Sequence, residues 1–233
     1  MLPFPIIPAM RLPILAAVFL LLNLAGSAAE PATAPIQDQP GLPRVLLIGD
    51  SISIGYTLPV RTALAGKANV HRPAANCGST GVGLASLKDW LGEGKWAVIH
   101  FNFGLHDAKL PPEGVRHSPP AVYEKNLRAL VQQLQANGAR LIWATTTPVP
   151  NGGNLAPNRR FDSVDKYNAI ARKVMDESGV AIDDLNAAIA PRIEELQNKG
   201  DVHFSTQGSE LLAGRVAASI EAQLRRGQES PAR

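Results

Sequence analysis

Three short stretches of this sequence carry residue types suited to nucleophilic chemistry assisted by a base. In LLIGDSISIGY, residues 46–56, an apolar run ends at Gly49-Asp50, and Ser51 follows where a helical pattern begins. A serine there either caps the helix or acts as a nucleophile. A strand-to-helix turn lifts its hydroxyl out of the sheet and sets backbone N–H groups beside it. The triplet Gly49-Asp50-Ser51 is compatible with both. In KGDVHFSTQG, residues 199–208, Asp201 and His203 stand ahead of the last helical pattern. Histidine is the usual general base for a serine, and a carboxylate orients it. The plainer alternative is a surface histidine beside a helix capped by Ser205 or Thr206. In HFNFGLHD, residues 100–107, Gly104 permits a sharp turn before His106 and Asp107. A neutral imidazole N–H can donate to a developing oxyanion, whereas Asp107 is equally suited to capping a local turn.

Two further segments bear on the same chemistry. NCGSTGVGL, residues 76–84, holds Gly78, Gly81 and Gly83. Such a loop lets backbone approach a ligand closely. It is not a phosphate loop, because no Gly-Lys-Ser/Thr follows. It is either an oxyanion donor loop or a plain connection. TTTPVPNGGNLAPNRRFDS, residues 145–163, is too long and too rich in Pro and Gly for a simple link. Its Arg159 and Arg160 either contact an anionic or hydroxyl-rich substrate or are solvated at a helix entrance, and Arg160 is assigned to the substrate loop. The elbow G-x-S-x-G is absent. A metal site built from His100, His106, Asp107 and His203 is disfavoured: there is no H-E-x-x-H, and His100 falls within a strand pattern.

These residues need elements to position them. Apolar segments at 45–48, 69–71, 96–103, 140–145 and 180–182 read as buried strands. Helical patterns at 123–136, 163–178 and 211–224 separate or follow them, with Asn137-Gly138 and Gly179 as stops. Alternation of this kind implies a parallel sheet covered on both faces. Sites in such sheets form beyond the carboxyl ends of the strands, which directs attention to the residues after Ile48, Phe103, Thr145 and Ile182.

The bulk composition narrows the class. Residues 11–29 combine Arg11, an apolar run from Leu12 to Leu24 and a small-residue end at Ser27-Ala28-Ala29, the pattern of a secretory signal peptide. That predicts an exported protein, periplasmic or secreted, with no membrane association after cleavage. Residues 30–43 read as a disordered linker, and 227–233 as a disordered tail. About 190 residues remain, enough for one domain at 44–226 with a full core. Cys77 is the single cysteine, so no intramolecular disulfide forms within the chain. The net charge is +3, aromatics are 5% and no Lys/Arg stripe exists, so nucleic-acid binding has no support.

With these motifs assembled, the chain resembles the SGNH hydrolase superfamily, the GDSL esterases and lipases, over roughly residues 44–225. IGDSISIGY looks like the family's first block, GLHD stands where it has G-x-N-D, and DVHFSTQG where it has D-x-x-H before a helix. The resemblance implies a flavodoxin-like three-layer α/β/α sandwich on a five-stranded parallel sheet, and ester hydrolysis through an acyl-enzyme with no metal or other cofactor. It implies catalytic Ser51, His203 and Asp201, and an oxyanion hole of Ser51, Gly81 and His106. Gly78 or Gly83 are alternatives to Gly81. Asp50, Asn102, Gly104 and Asp107 would support the site. Two departures stand out: His106 replaces the family's asparagine, and Asp201 lies two residues before His203, with Gly200 at the usual acidic position. The expected substrate is a small-molecule or carbohydrate ester with a short acyl group, acetyl foremost. Transfer to an alcohol acceptor, lysophospholipid or thioester cleavage by the same serine, and a non-catalytic carbohydrate-binding relic are the rival readings.

Overall fold

The computed structural model describes residues 31–111 and 118–229. In chain order the first elements are β1 (Arg44–Ile48), α1 (Ser51–Ala63), β2 (Asn69–His71), α2 (Thr80–Leu91), β3 (Val98–Phe101), α3 (Leu105–Ala108) and β4 (Lys109–Leu110). They are followed by α4 (Pro120–Ala136), β5 (Arg140–Ala144), β6 (Asn154–Leu155), β7 (Arg159–Phe161) and α5 (Val164–Ser178). The chain closes with β8 (Ala181–Asp183), α6 (Leu185–Ile189), α7 (Ile193–Leu196) and α8 (Thr206–Glu229).

Five strands pair in parallel in the order β2-β1-β3-β5-β8. Counted along the sheet's own strands this is the flavodoxin-like 2-1-3-4-5 order. Side chains alternate across each strand, and both faces are covered. Leu46, Ile48, Ile99, Phe101 and Trp143 pack with Leu87, Tyr123, Leu127, Leu130 and Val174. On the other face Val45, Leu47, Val98 and Ile142 pack with Tyr56, Val60, Leu212, Val216 and Ile220. The three-layer sandwich follows from strands that are apolar on both faces.

The helices start where local chemistry permits. Pro120, at the first turn of α4, needs no N–H acceptor there, which extends the expected 123–136 segment forward. Ser205 Oγ accepts the Gly208 N–H at 3.2 Å, so α8 begins at Thr206, ahead of the expected 211. Helix α8 also runs to Glu229, so residues 227–229 belong to it and not to a disordered tail. Helix α2 had no expectation attached to it: Gly81 and Gly83, read as loop residues, lie in its first turns.

The lead-in also departs from expectation. The signal peptide expected at 1–29 lies outside the described residues. Residues 31–43, expected to be a disordered linker, run instead as a strap against α1 and β2. The buried Asn69 ties it down: its side-chain amide donates to Gln39 O and Leu42 O, and its Oδ1 accepts the Gln39 N–H. Arg61 Nη2 donates to Ala34 O at 3.1 Å, and His71 Nε2 lies 2.6 Å from Asp38 Oδ1. Composition gave no sign of this, because backbone carbonyls and one asparagine provide much of the anchoring.

The long 145–163 segment is structured. Strands β6 and β7 form an antiparallel sheet with β4, in the order β4-β7-β6. Leu155 and Phe161 pack there with Leu105 and Val202. This small sheet stands beside the carboxyl edge of the main one.

Candidate active site

Asp50, and not Ser51, caps the first helix. Its backbone is extended (φ −82°, ψ −157°), and its Oδ1 accepts the Ile52 N–H at 2.9 Å, so Asp50 is the cap of α1. Ser51 becomes the first helical residue, with a hydroxyl free for other work. That hydroxyl lies 2.8 Å from His203 Nε2. The turn beneath it is stitched by Arg72, which the sequence reading did not single out. Its buried guanidinium donates to Gly49 O, Ala75 O, Ser53 Oγ and Thr57 Oγ1. Burial lowers its pKa from the ordinary arginine value. Nothing in the isolated stretch around Arg72 marks it, because its partners come from α1 and two turns. Burial pushes the Asp50 carboxyl up, and His106, the Ile52 N–H, His203 and Arg72 offset part of that rise. The thiol of Cys77, raised by burial to about 11, is unsuited to nucleophilic work.

His203 Nδ1 lies 2.9 Å from Asp201 Oδ2. A carboxylate only accepts, so the proton resides on Nδ1 and Nε2 is left to accept from Ser51. The short Asp-x-His spacing works because the loop is folded tightly. Gly200 is left-handed (φ +68°), the Asp201 N–H donates to Asn198 O at 3.0 Å, and the Asn198 N–H donates to His203 O at 2.8 Å. The carboxylate also accepts the Val202 N–H (2.8 Å) and Arg159 Nη2 (3.0 Å) on Oδ1. Desolvation pushes the Asp201 pKa up, but hydrogen bonds from His203, Val202 and Arg159 outweigh it and hold the carboxyl below its ordinary range.

The remaining residues divide between the cleft and its supports. His106 is exposed on α3 and lines the cleft with Ser51, His203 and Asn76. Gly81 is exposed in the first turn of α2, where N–H groups lack an acceptor one turn back. The Gly78 N–H donates to Asn76 Oδ1 and the Gly83 N–H to Ser79 O, which occupies both alternative donors. Gly83 serves packing instead: a Cβ there would meet the Phe103 ring at 2.8 Å. Asp107, next to His106, is buried and faces away from the cleft chemistry. It accepts the Thr80 N–H on both oxygens (3.1 and 3.0 Å) and the Thr80 hydroxyl at 2.5 Å. Asp107 therefore caps α2 across 27 residues of sequence, not a local turn. Asn102 Nδ2 donates to Ala144 O (2.7 Å) and Thr146 Oγ1 (3.2 Å), tying the ends of β3 and β5. Gly104 has φ +155°, and a Cβ there would lie 2.3 Å from Thr146 Oγ1.

The small sheet supplies the outer wall. Lys109 pairs with Phe161 across β4 and β7, and Arg159, two residues from Phe161, shares its face. All three line the cleft of about 130 Å3 beside Ser51. Arg160, the arginine assigned to the substrate loop, points to the opposite face and is exposed; Arg159 is the one at the site. The four residues of the metal reading do not gather. His100 lies in the sheet with Nε2 3.2 Å from Asp183 Oδ2, and Asp107 is bound to Thr80.

The sequence profile of the GDSL-like lipase/acylhydrolase family matches residues 47–211. An arylesterase of Vibrio mimicus is 24% identical over 130 residues, 51% of this chain and 62% of that protein. The chain thus spans less than two thirds of that relative. An acetyl xylan esterase, AlAXEase, superposes with a TM-score of 0.63 at 18% identity, covering 76% of this chain and 99% of that one. The lipase/acylhydrolase from Enterococcus faecalis gives a TM-score of 0.64 at 23% identity, covering 78% and 97%. At these identities the two structures share the fold.

Proposed function

The chain belongs to the GDSL-like lipase/acylhydrolase family, and from that premise we propose that it is a serine carboxylic ester hydrolase acting on short acyl esters, acetyl foremost, of small molecules or carbohydrates. One observation carries this reading: Ser51 Oγ, His203 and Asp201 form a continuous relay with contacts of 2.8 and 2.9 Å. His203 Nε2 takes the Ser51 proton as Oγ bonds to the ester carbonyl carbon. The oxyanion is received by the N–H groups of Ser51 and Gly81 and by the His106 imidazole. Collapse of this intermediate breaks the bond to the alcohol, which leaves with the proton held by His203. Water then repeats the sequence, releasing the acid and restoring Ser51. Asp201, kept ionised, stabilises the imidazolium formed in each half.

The acyl preference is supported by a cleft of about 130 Å3 beside Ser51, where a short acyl group fits. A sugar ester is supported by the shared fold of an acetyl xylan esterase, and an aryl ester by the Vibrio mimicus relative. The apolar run 12–24 ahead of Ser27-Ala28-Ala29 supports export.

Ser51→Ala should abolish p-nitrophenyl acetate hydrolysis while leaving the melting temperature within a few degrees. A fluorophosphonate should label the unmodified protein at Ser51 and leave the variant unlabelled. An unreactive Ser51 in folded protein would favour a non-catalytic carbohydrate-binding relic. Product analysis with an added alcohol separates hydrolysis from acyl transfer.

A further inference from the structure

The cleft beside Ser51 has an unbalanced charge: its described walls carry Lys109 and Arg159 and no carboxylate. The two cations are not equivalent. Arg159 is committed, its Nη2 donating to Asp201 Oδ1 at 3.0 Å. The Lys109 ammonium has no ion-pair or hydrogen-bond partner among the described residues. Its place is fixed by the register of the small sheet, directly opposite Phe161, which packs on Leu105 and Val202. Lys109 is exposed and lines the cleft, so its ammonium adds to the positive field that an anion meets on entering it.

We propose that this cleft selects esters carrying an anionic group, a carboxylate foremost, and that Lys109 recognises it. An O-acetylated acidic sugar is a substrate of this chemistry. The proposal rests on the esterase reading and adds a charge requirement to it. Lys109 touches no reacting atom in this scheme; it positions the ester by its remote charge, so its effect belongs mainly in KM.

The test compares 4-acetoxybenzoate with its neutral methyl ester, methyl 4-acetoxybenzoate, using the full chain at low ionic strength. The neutral compound has the better leaving group, so a preference for the anion is not chemical reactivity. A second arm compares p-nitrophenyl hemisuccinate with p-nitrophenyl butyrate, placing the carboxylate on the acyl side. The expected result is a preference of about tenfold in kcat/KM for the anionic member of at least one arm. It should shrink in about 0.5 M salt, where screening is short-ranged. Lys109→Gln should erase the preference, Lys109→Glu invert it and Lys109→Arg keep it, each in protein that melts like the parent. Equal kcat/KM for both members of each arm overturns the proposal while leaving the esterase reading intact. A preference that survives Lys109→Gln overturns it as well. If no ester is hydrolysed and Ser51 resists a fluorophosphonate, the esterase reading fails and takes this proposal with it.

Discussion

Asp201 reaches His203 Nδ1 from only two residues away, and Arg159 holds the same carboxylate. Three donors meet that carboxylate, from His203, Val202 and Arg159. Replacing Arg159 with Gln removes one of the contacts that lower its pKa. The sign follows from linkage. The native pKa of Asp201 is depressed, so its contribution to stability is complete above the unfolded value of about 3.9 and is lost as pH falls through the native value. Arg159→Gln raises that native value, so both stability and kcat should begin to fail at a higher pH on the acid side. Thermal melts and rate profiles between about pH 3 and 6 check this; superimposable acid limbs would remove Arg159 from the relay. His106 is a different case, because it meets the oxyanion itself in the proposed scheme. A side-chain oxyanion donor is worth roughly 2.7–4 kcal/mol in the barrier, so His106→Ala should lower kcat about a hundredfold or more, with unfolding unchanged. A loss below about threefold would exclude that role. That Ser51, His203 and Asp201 lie together was legible only from the three motifs taken jointly, because each stretch alone fits a helix cap or a surface loop equally well. The choice of Arg160 over Arg159 was not. On a two-residue period Arg159 shares the face of Phe161, but that argument needs Phe161 to be known as buried, and the pairing strand, only two residues long, has no readable period.

Helix α2 shows how an element hides from sequence and still governs a site. Its stretch TGVGLASLKDWL carries two glycines, each costing a helix about 1 kcal/mol against alanine. Tertiary packing overrides that cost, since only glycine fits at 83 against Phe103. Its start is fixed from outside, by Asp107. The same four-residue turn, α3, thus presents His106 to the cleft and Asp107 to the end of α2, coupling two proposed parts of the oxyanion hole. Asp107→Ala would strand the Thr80 N–H and hydroxyl in a buried place. Loss of a cap costs about 1 kcal/mol, and stranded buried donors cost a further 1–3 or so. The variant should therefore lose about 2–4 kcal/mol in urea unfolding. Its kcat should also fall in conditions where it is fully folded, because Gly81 rides on that first turn. Full activity in a destabilised variant would separate Gly81 from the oxyanion.

Across the whole molecule, function and anchorage occupy opposite ends of one sheet. The relay gathers beyond the carboxyl ends of β1 and β3, as parallel sheets dictate. The strap at 31–43 lies by the starts of β1 and β2, where Asn69 pairs with Gln39 and Leu42. Fold class was readable from strand and helix alternation, since that signal is spread over many residues. The strap was not, because a Pro- and Gln-rich segment held by backbone carbonyls has no hydrophobic period to detect. Its removal therefore makes a sharp test of the architecture. A chain beginning at residue 44 loses four bonds to Asn69, one of them from its N–H to Pro43 O, together with the Ala34–Arg61 bond and the contacts of Asp38 with His71 and Arg44. Water replaces part of each, so the net loss is about 0.5–1.5 kcal/mol per bond and less for the exposed ion pairs. Five such bonds total about 2.5–7.5 kcal/mol, which corresponds to roughly 5–30 °C in Tm for a domain of this size. Compared with a chain beginning at residue 31, the truncated one should melt lower by that margin. At a temperature where both are folded, its kcat and its fluorophosphonate labelling should match. An unchanged Tm would mean that the strap contributes nothing net. A lost relay in folded protein would mean that the two ends of the sheet are mechanically linked.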